Sequence, residues 1–206
     1  MKIIQQASYN YNDVDLQQRE YLYQGFVKVE KVQLSHRLFE SNKYIPPIQR
    51  ELIARRPAAG VLIYNDQQQK FALIEQFRIG ALDDTDSPWQ LEIIAGVLDG
   101  DESPEHCIRR EALEESGCEI QELQHLYSFY PSAGACAELF HLYSAAADLP
   151  EQGGVFGMPD EGENILLHLI DYAQIDTLLS NGRLRNAPVI MALQWLQQQI
   201  KTTRNV

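Results

Sequence analysis

Three glutamates that fall within one predicted helix are the residues best suited to chemistry in this sequence. Glu111 and Glu115 are one helical turn apart, and Glu114 lies three residues after Glu111. At about 100° per residue the three carboxylates share one helix face, where like charges repel each other. A bound cation removes that repulsion, and carboxylate oxygens are the ligands that Mg²⁺ and Mn²⁺ prefer. Taken alone, such a trio is more typical of a solvated helix face than of a metal site.

The residues around these glutamates carry start and stop signals for a helix. Ser103 is a favourable N-cap, and Pro104 suits the first helical position because its missing N–H is not needed there. Gly117 can adopt the left-handed conformation that ends a helix. We therefore predict a helix over Pro104–Ser116, preceded by a glycine-bearing loop.

The same segment carries a longer pattern. Residues 96–118 read GVLDGDESPEHCIRREALEESGC. This stretch resembles the Nudix box, G-x5-E-x7-R-E-U-x-E-E-x-G-U, in which U is a bulky apolar residue. The two U positions hold Ala112 and Cys118, which is a mild departure. The fixed positions of the box are matched by Gly96, Glu102, Arg110, Glu111, Glu114, Glu115 and Gly117.

The resemblance extends over most of the chain. The segments IEQFRIGALDDTDSPWQLEIIAG, MPDEGENI and NAPVIMALQWLQ are similar to the ADP-ribose pyrophosphatase branch of the Nudix superfamily. That resemblance implies a mixed α/β fold, with a Nudix-type α/β/α sandwich over residues 58–206. It also implies a small N-terminal β-rich domain over residues 1–57, used for dimerisation and substrate contact. We expect a homodimer in which each N-terminal domain reaches the partner's substrate site.

The resemblance assigns metal-binding roles by position. Glu111, Glu115 and the backbone carbonyl of Ala95 are expected to bind Mg²⁺ or Mn²⁺. Arg110 is expected to orient the glutamates, although a plain salt bridge with Glu102 is compatible with the same residues. Further support for the ligand set is expected from Glu102, Glu114 and Glu163.

A glycine-rich acidic loop at residues 157–164, GMPDEGEN, is a second candidate element. Read alone, such a loop is most often a solvated connection. In the related family the matching loop closes over the substrate and brings a general base, which maps to Glu161. Glu163 would then reach the metals, and the two roles can be exchanged because the residues are two positions apart. The reaction needs a base because water is a poor nucleophile.

Substrate contacts are also implied by position. Phe26 is expected to stack on adenine, although sequence alone favours a cross-strand core aromatic there. Arg78 is expected to contact the diphosphate, because its guanidinium offers a fork of donors; the alternative for each arginine is surface solvation. The remaining expected contacts are Arg50, Glu51, Arg55, Val97 and Glu138.

One stretch departs from the family pattern. A Ser-Pro-Gly-Gly-type turn is common after the strand that follows the box, and its proline is used to separate substrate classes. Here residues 130–138 read YPSAGACAE, with Pro131 two places early and Ala133 at the expected proline position. This leaves the reaction class unaffected and weakens the assignment of the preferred nucleotide sugar.

The hydrophobic pattern predicts the elements that position these residues. We expect strands over Tyr21–Glu30 and Val32–Phe39, then a hairpin of Ala59–Tyr64 and Phe71–Gln76 with a polar turn between them. Another strand, Leu91–Ala95, leads into Gly96. Further strands are predicted at Leu126–Phe129, Leu139–Ser144 and Ile165–Ile170, and helices at Tyr172–Ser180 and Pro188–Lys201. In the last helix Val189, Leu193, Leu196 and Ile200 recur at helical spacing, with Trp195 beside them, which favours packing over ligand binding.

Composition narrows the function further. The chain has 206 residues and a formal net charge of −12, which argues against nucleic acid or an anionic membrane surface as the main partner. An anionic small molecule remains compatible if cations bridge it to the protein. The cysteines Cys107, Cys118 and Cys136 form no CxxC pair, so we expect reduced thiols rather than disulfides or zinc ligands. Without a signal-peptide pattern or an apolar stretch of membrane-spanning length, we expect a cytoplasmic protein.

We therefore expect an enzyme that uses Mg²⁺ to hydrolyse the diphosphate of ADP-ribose to AMP and ribose 5-phosphate. The nearest alternative keeps the reaction and changes the substrate to GDP-mannose or another nucleoside diphosphate sugar. A third alternative is a non-catalytic nucleotide-sugar sensor, but such modules usually lose glutamates of the box. A purely structural dimerisation protein would leave the acidic helix face without a reason.

Overall fold

The computed structural model describes residues 7–39, 41–158 and 162–203. The chain forms two compact units, one of Met1–Arg56 with Ser132–Glu138 and one of Pro57–Pro131 with Leu139–Val206. The short segment 132–138, which was predicted to belong to the second domain, groups with the first unit. Each unit is described by itself below.

The first unit is built on a three-stranded antiparallel sheet in the order β1-β2-β3. Its strands are β1 (Val14–Gln24), β2 (Lys28–His36) and β3 (Ile48–Ala54). The segment 132–138 is fastened to β3 by two backbone hydrogen bonds. Ile53 N–H donates to the Ala135 carbonyl at 2.7 Å, and Ala137 N–H donates to the Ile53 carbonyl at 3.0 Å.

The predicted strands of this unit were wrong in their boundaries. The predicted strand Tyr21–Glu30 crosses a turn at residues 25–27, where Gly25 N–H donates to the Val27 carbonyl at 3.2 Å. Strand β1 is exposed on both faces along most of its length, so its sequence does not alternate between apolar and polar residues. Strand β3 was not predicted, because its residues QRE interrupt the apolar pattern.

The second unit contains a mixed eight-stranded sheet in the order β10-β11-β5-β4-β9-β8, with β6 paired to β5 and β7 paired to β4. Strands β4 and β9 are parallel, and the other described pairs in this sheet are antiparallel. The strands are β4 (Ala58–Asn65), β5 (Lys70–Phe77), β6 (Trp89–Glu92), β7 (Ile94–Val97), β8 (Gln124–Phe129), β9 (Phe140–Ala146), β10 (Val155–Phe156) and β11 (Ile165–Asp171).

Helices cover both faces of this sheet. They are α1 (Pro104–Ser116), α2 (Ile175–Ser180) and α3 (Ala187–Thr203). Successive residues of β4 point to opposite faces: Val61 packs in the core that contains Ile108 of α1, and Leu62 packs in the core that contains Leu193 of α3. The predicted α/β/α sandwich is therefore confirmed. The apolar stripe of the last helix is confirmed as core packing, because Val189, Leu193 and Leu196 are buried.

A break at Ile93 shapes the strand that leads to the box. One strand was predicted over Leu91–Ala95, but the structure has β6 before Ile93, paired to β5, and β7 after it, paired to β4. Ile93 is buried among residues of the α3 side and Ile94 among residues of the α1 side, so these successive side chains enter the two different cores. Strand β7 then brings Gly96 opposite Ala59 of β4.

Two further features concern the described residues as a whole. No helix among them is long and apolar enough to cross a membrane. The side chains of Cys107, Cys118 and Cys136 are free thiols, and the first two are buried.

Candidate active site

The caps of α1 fix the position of its acidic face. Ser103 Oγ accepts a hydrogen bond from His106 N–H at 3.2 Å, and Pro104 occupies the first helical position. Gly117 ends the helix in the left-handed conformation with φ 69°, and its N–H donates to the Leu113 carbonyl at 3.0 Å. The helix predicted over Pro104–Ser116 is confirmed in both of its boundaries.

Gly96 allows the helix to lie directly against β7. A Cβ placed on this residue would come within 1.8 Å of Oε1 of Glu111 and 2.2 Å of its Cδ. A side chain on residue 96 would therefore have to displace the Glu111 side chain from its place against β7. The contact between Gly96 and Glu111 places the Glu111 carboxylate beside the backbone of β7.

Glu115 is the most buried of the acidic side chains on this helix, at 3% exposure. Its Oε2 accepts a hydrogen bond from Ala95 N–H at 3.3 Å. Burial and then the negative charge of Glu111 raise the pKa of Glu115 to about 8. The pKa of Glu111 is raised too, mainly by burial, although Arg110 acts in the opposite direction. The charge of Glu163 adds to both shifts, which places Glu163 in the same electrostatic environment.

Arg110 contacts three of the four glutamates of the box, Glu102, Glu111 and Glu114. Its Nη1 lies 2.8 Å from Oε1 of Glu111 and 3.1 Å from Oε2 of Glu114. Its Nε and Nη2 each lie 3.3 Å from an oxygen of Glu102. These contacts with Arg110 are the main reason that the pKa of Glu102 falls to about 2. One guanidinium thus joins the loop before α1 to two successive turns of the helix.

The acidic loop contributes Glu163. Its Oε2 accepts a hydrogen bond from Met158 N–H at 3.1 Å, and its own N–H donates to the Met158 carbonyl at 3.2 Å. Gly157 stands beside it with φ 98°, and a Cβ there would lie 2.9 Å from Cβ of Glu163. Glu161, the predicted general base, lies outside the described residues.

The chemistry of these donors suits a hard divalent cation. Glu111 and Glu115 place carboxylate oxygens in a largely buried space, where a cation offsets their mutual repulsion. In the described part of the chain, no group of three or more His, Cys, Asp or Glu side chains is already gathered as a metal site. Each of Glu111, Glu115 and Glu163 instead has a protein donor. The donors engage Oε1 of Glu111, Oε2 of Glu115 and Oε2 of Glu163, and a carboxylate has further lone pairs with which it can bind a cation.

Arg78 lies in the field of the same carboxylates. Burial lowers the pKa of Arg78, but the hydrogen bond and charge of Glu92, together with the charges of Glu115 and Glu163, raise it overall. Its Nε and Nη2 bind Oε2 of Glu92 at 2.9 and 2.7 Å. Oε1 of Glu92 accepts a hydrogen bond from Nδ2 of Asn186 at 2.8 Å. Sequence reasoning missed Glu92 and Asn186, although Glu92 is the one charged residue in the apolar run LEIIA.

The other predicted residues of this unit lie on β7. Ala95 is opposite Gly60 of β4, and Val97 is opposite Ala58. The backbone N–H of Ala95 is the donor to Glu115. The predicted ligand atom is the carbonyl of the same residue.

Five predicted substrate residues belong to the first unit. Phe26 lies at the turn between β1 and β2 and is 101% exposed, so it is not a core aromatic of this chain. Arg50 and Glu51 are adjacent on β3. Nε of Arg55 lies 3.0 Å from Oε2 of Glu138, in an ion pair within this unit.

A protein-family model described as the NUDIX domain matches residues 54–193. The chain belongs to the NUDIX family. The matched range contains the whole of α1 and the acidic residues of the candidate site. The resemblance inferred from residues 96–118 and the segments around them is thereby confirmed, and so is the prediction of a Nudix enzyme.

Similar proteins within the Nudix family carry two different substrate names. An ADP-ribose pyrophosphatase of Escherichia coli (strain K12) is 34% identical over 199 residues, which cover 97% of this chain and 95% of that protein. A GDP-mannose pyrophosphatase of Yersinia pestis (strain Pestoides F) is 35% identical over 185 residues, which cover 83% of this chain and 92% of that protein. The first relative therefore matches more of this Nudix chain at almost the same identity.

A solved structure supports the Nudix fold. The crystal structure of an ADP compounds hydrolase is similar with a TM-score of 0.70. The similarity covers 97% of this chain and all of that one, at 20% sequence identity. At this identity the comparison shows the fold alone.

Proposed function

We propose that this Nudix enzyme hydrolyses the diphosphate of ADP-ribose to AMP and ribose 5-phosphate. The observation that carries the proposal is the pair of carboxylates on α1: Glu111 packs beside Gly96, and Glu115 is buried within the field of Arg78. The relative named ADP-ribose pyrophosphatase, which matches nearly the whole chain, supports this substrate.

The negative charge of the protein explains why a metal is needed to bind the substrate. A chain with a net charge of −12 repels a doubly anionic substrate over long range. We assign the divalent cation, Mg²⁺ or Mn²⁺, to Glu111, Glu115 and Glu163, assisted by Glu114 and the carbonyl of Ala95. When bound there, the cation lowers the pKa of water and offsets negative charge on the phosphate oxygens.

The protein's own residues do the remaining work. The guanidinium of Arg78 donates hydrogen bonds to the diphosphate and offsets charge that develops on its oxygens. Arg110 holds the glutamates of the box in place. A carboxylate of the acidic loop removes a proton from the attacking water, and the water oxygen displaces one phosphate from the other. We assign this base to Glu161, and Glu163 is the alternative.

The first unit supplies the remaining substrate contacts in this proposal. The ring of Phe26 is available for stacking on adenine because it is fully exposed. Arg50, Glu51, Arg55 and Glu138 are assigned to polar contacts, together with Val97 of the second unit. We propose a homodimer, which accords with the exposed apolar residues of β1, and a cytoplasmic location.

GDP-mannose is the second candidate substrate. The relative of Yersinia pestis and the unusual stretch at residues 130–138, with Ala133 at the expected proline position, both favour testing it. The reaction would be the same, and GMP would replace AMP as the nucleotide product.

Product analysis separates the two candidates. Purified protein is incubated with Mg²⁺ and either ADP-ribose or GDP-mannose, and the nucleotides are quantified by chromatography. We expect AMP from ADP-ribose at a clearly higher kcat/KM than GMP from GDP-mannose. The reverse order would move the substrate and keep the chemistry. No release from either compound, or from a wider panel of nucleotides, would favour the sensor alternative.

A further inference from the structure

Arg78 is hydrogen-bonded to Glu92, which in turn is hydrogen-bonded to Asn186. Neither Glu92 nor Asn186 has another part in the proposed reaction. Glu92 is 5% exposed, whereas the side chain of Arg78 is 44% exposed. The arginine is therefore anchored at its buried side, and the rest of its guanidinium reaches the surface of the site. Asn186, which immediately precedes α3, contacts the far oxygen of the same carboxylate.

We propose that Asn186 is a positioning residue that fixes Glu92 and, through Glu92, the orientation of Arg78 toward the substrate diphosphate. This inference rests on the proposed function in one respect, which is the contact between Arg78 and the diphosphate. The chain of contacts from Asn186 through Glu92 to Arg78, called the relay below, consists of contacts among described residues.

The division of the Glu92 oxygens explains how the relay works. Oε2 accepts from both Nε and Nη2 of Arg78, and Oε1 accepts from Asn186. A carboxylate with both oxygens free instead favours a two-pronged pair with arginine, in which each oxygen takes one donor. Asn186 disfavours that arrangement because its amide donates to Oε1. Without it, the guanidinium would turn toward Oε1 and away from its position for the substrate.

The chemical type of Asn186 suits this task. Its amide satisfies a buried carboxylate oxygen without adding charge, so Arg78 remains the only cation on Glu92 among the described residues. A lysine in its place would compete with Arg78 for Glu92. An aspartate would put a second negative charge beside Glu92.

The loop before α3 is itself fixed, so Asn186 is pre-organised. Arg183 donates to Oε1 of Glu75 on β5 at 2.5 Å and to the Trp89 carbonyl on β6 at 3.1 Å. Arg185 forms ion pairs with Asp84 and Asp86, which lie between those two strands. Asn186 thus ends a loop whose arginines are bonded to β5, to β6 and to the segment between these strands. Arg78 and Glu92 belong to the same β5–β6 segment.

A double-mutant cycle tests whether Asn186 acts through Arg78. In the wild-type background, Asn186→Ala should lower kcat/KM for ADP-ribose about tenfold, the size expected for one hydrogen bond to a charged group. In an Arg78→Ala background the same change should cost less than about twofold, because the residue it positions is gone. Equal costs in both backgrounds would overturn the proposal.

Asn65→Ala is the matched control for stability. Asn65 also makes side-chain hydrogen bonds in this unit: its Oδ1 accepts from Gln68 N–H at 2.8 Å, and its Nδ2 donates to the Ala147 carbonyl at 3.0 Å. It pairs with Lys70 at the opposite end of β5 from Arg78. The Asn65→Ala variant should unfold at a lower urea concentration than the wild type and keep the wild-type kcat/KM. If Asn65→Ala and Asn186→Ala lower kcat/KM equally, the effect of Asn186 is a general loss of stability and the relay is wrong.

A measurement without substrate keeps this inference separate from the proposed function. The Nε–H of Arg78, assigned in ¹⁵N NMR with an Arg78→Lys protein, should be ordered in the wild type and in Asn65→Ala. In Asn186→Ala its ¹H and ¹⁵N chemical shifts should change, because the guanidinium turns toward Oε1 of Glu92 and the hydrogen bond from Nε–H to Oε2 is altered. If the wild type hydrolyses no nucleotide sugar, the proposed function fails and this signal alone decides the relay. An unchanged signal in Asn186→Ala would reject it.

Discussion

The carboxylate of Glu111 and the backbone of Gly96 are in direct contact, so that a Cβ on residue 96 would lie 1.8 Å from Oε1. This contact joins the first residue of the box to one of its central glutamates. The contact also explains why the Nudix box fixes the spacing of Gly96 and Glu111, which are fifteen positions apart. The chain leaves β7 after Gly96, passes through a loop and continues as α1, which packs back against β7.

Gly96→Ala should therefore damage the site more than the fold. The new methyl group must displace the Glu111 side chain, and we expect kcat/KM to fall by at least about 10²-fold, as when a group that stabilises the transition state is lost. Steady-state kinetics with ADP-ribose measures the effect. Gly80→Ala is the control, because a Cβ on Gly80 meets nothing within 4 Å. Equal activity in the two variants would contradict the role given to this contact.

Glu115→Gln should make the metal-free protein more stable. Glu115 is buried beside Glu111, so without metal folding must either bury its charge or make it take up a proton, and glutamine avoids both costs. We expect a gain of about 1 kcal/mol in the free energy of unfolding at neutral pH in EDTA. Saturating Mg²⁺ should stabilise the wild type and leave Glu115→Gln nearly unchanged. Urea unfolding with and without Mg²⁺ gives both values, and a variant that is less stable without metal would argue against charge repulsion.

Glu102 should contribute to the loss of folding stability at acidic pH. The pKa of Glu102 is about 2 in the folded chain, below its ordinary value of 4.5, chiefly because Arg110 binds the carboxylate. A group whose pKa is lowered by folding stabilises the protein above the unfolded-state value, and this contribution is lost as the pH falls from 4.5 toward 2. Glu102→Gln should flatten the stability profile in that window.

The test of Glu102 is chemical denaturation at a series of pH values. Glu122→Gln replaces an exposed glutamate and serves as the control, and its profile should follow the wild type. If Glu102→Gln and the wild type lose stability in parallel below pH 4.5, the ion pair with Arg110 does not have the strength assigned to it.

The sequence was sufficient to predict the helix of the site, and the reason is local. Ser103, Pro104 and Gly117 are caps that act through neighbouring backbone groups, so their effect can be read without knowledge of the fold. The sheet strands β4 and β5 were predicted for a similar reason, because both are buried on two faces and form continuous apolar runs.

The missed features depend on contacts between distant parts of the chain. Asn186 lies ninety-four residues from Glu92, and no local pattern links the two. The boundaries of β1 were missed because its residues are exposed on both faces of a sheet that has little core of its own. Burial, which fixes alternation elsewhere, leaves no such pattern there.

Phe26→Ala should weaken substrate binding without weakening the fold. The ring is fully exposed, so its removal costs no buried contact within the chain. If it stacks on adenine, KM for ADP-ribose should rise about tenfold or more, the size expected for loss of one stacked base, with a smaller change in kcat. Phe26→Trp should retain low KM because it keeps an aromatic face. An unchanged KM in Phe26→Ala would remove this residue from the substrate site.

The most direct test of the central claim compares Glu115→Gln with Glu122→Gln in the Mg²⁺-dependent release of AMP from ADP-ribose. Both changes replace one carboxylate by an amide, but Glu115 is buried at the proposed metal site and Glu122 is exposed beyond the helix. We predict that kcat falls by at least about 10²-fold in Glu115→Gln, with wild-type activity in Glu122→Gln. Wild-type turnover in Glu115→Gln, with unchanged dependence on Mg²⁺, would contradict the assignment of this helix face as the catalytic metal site.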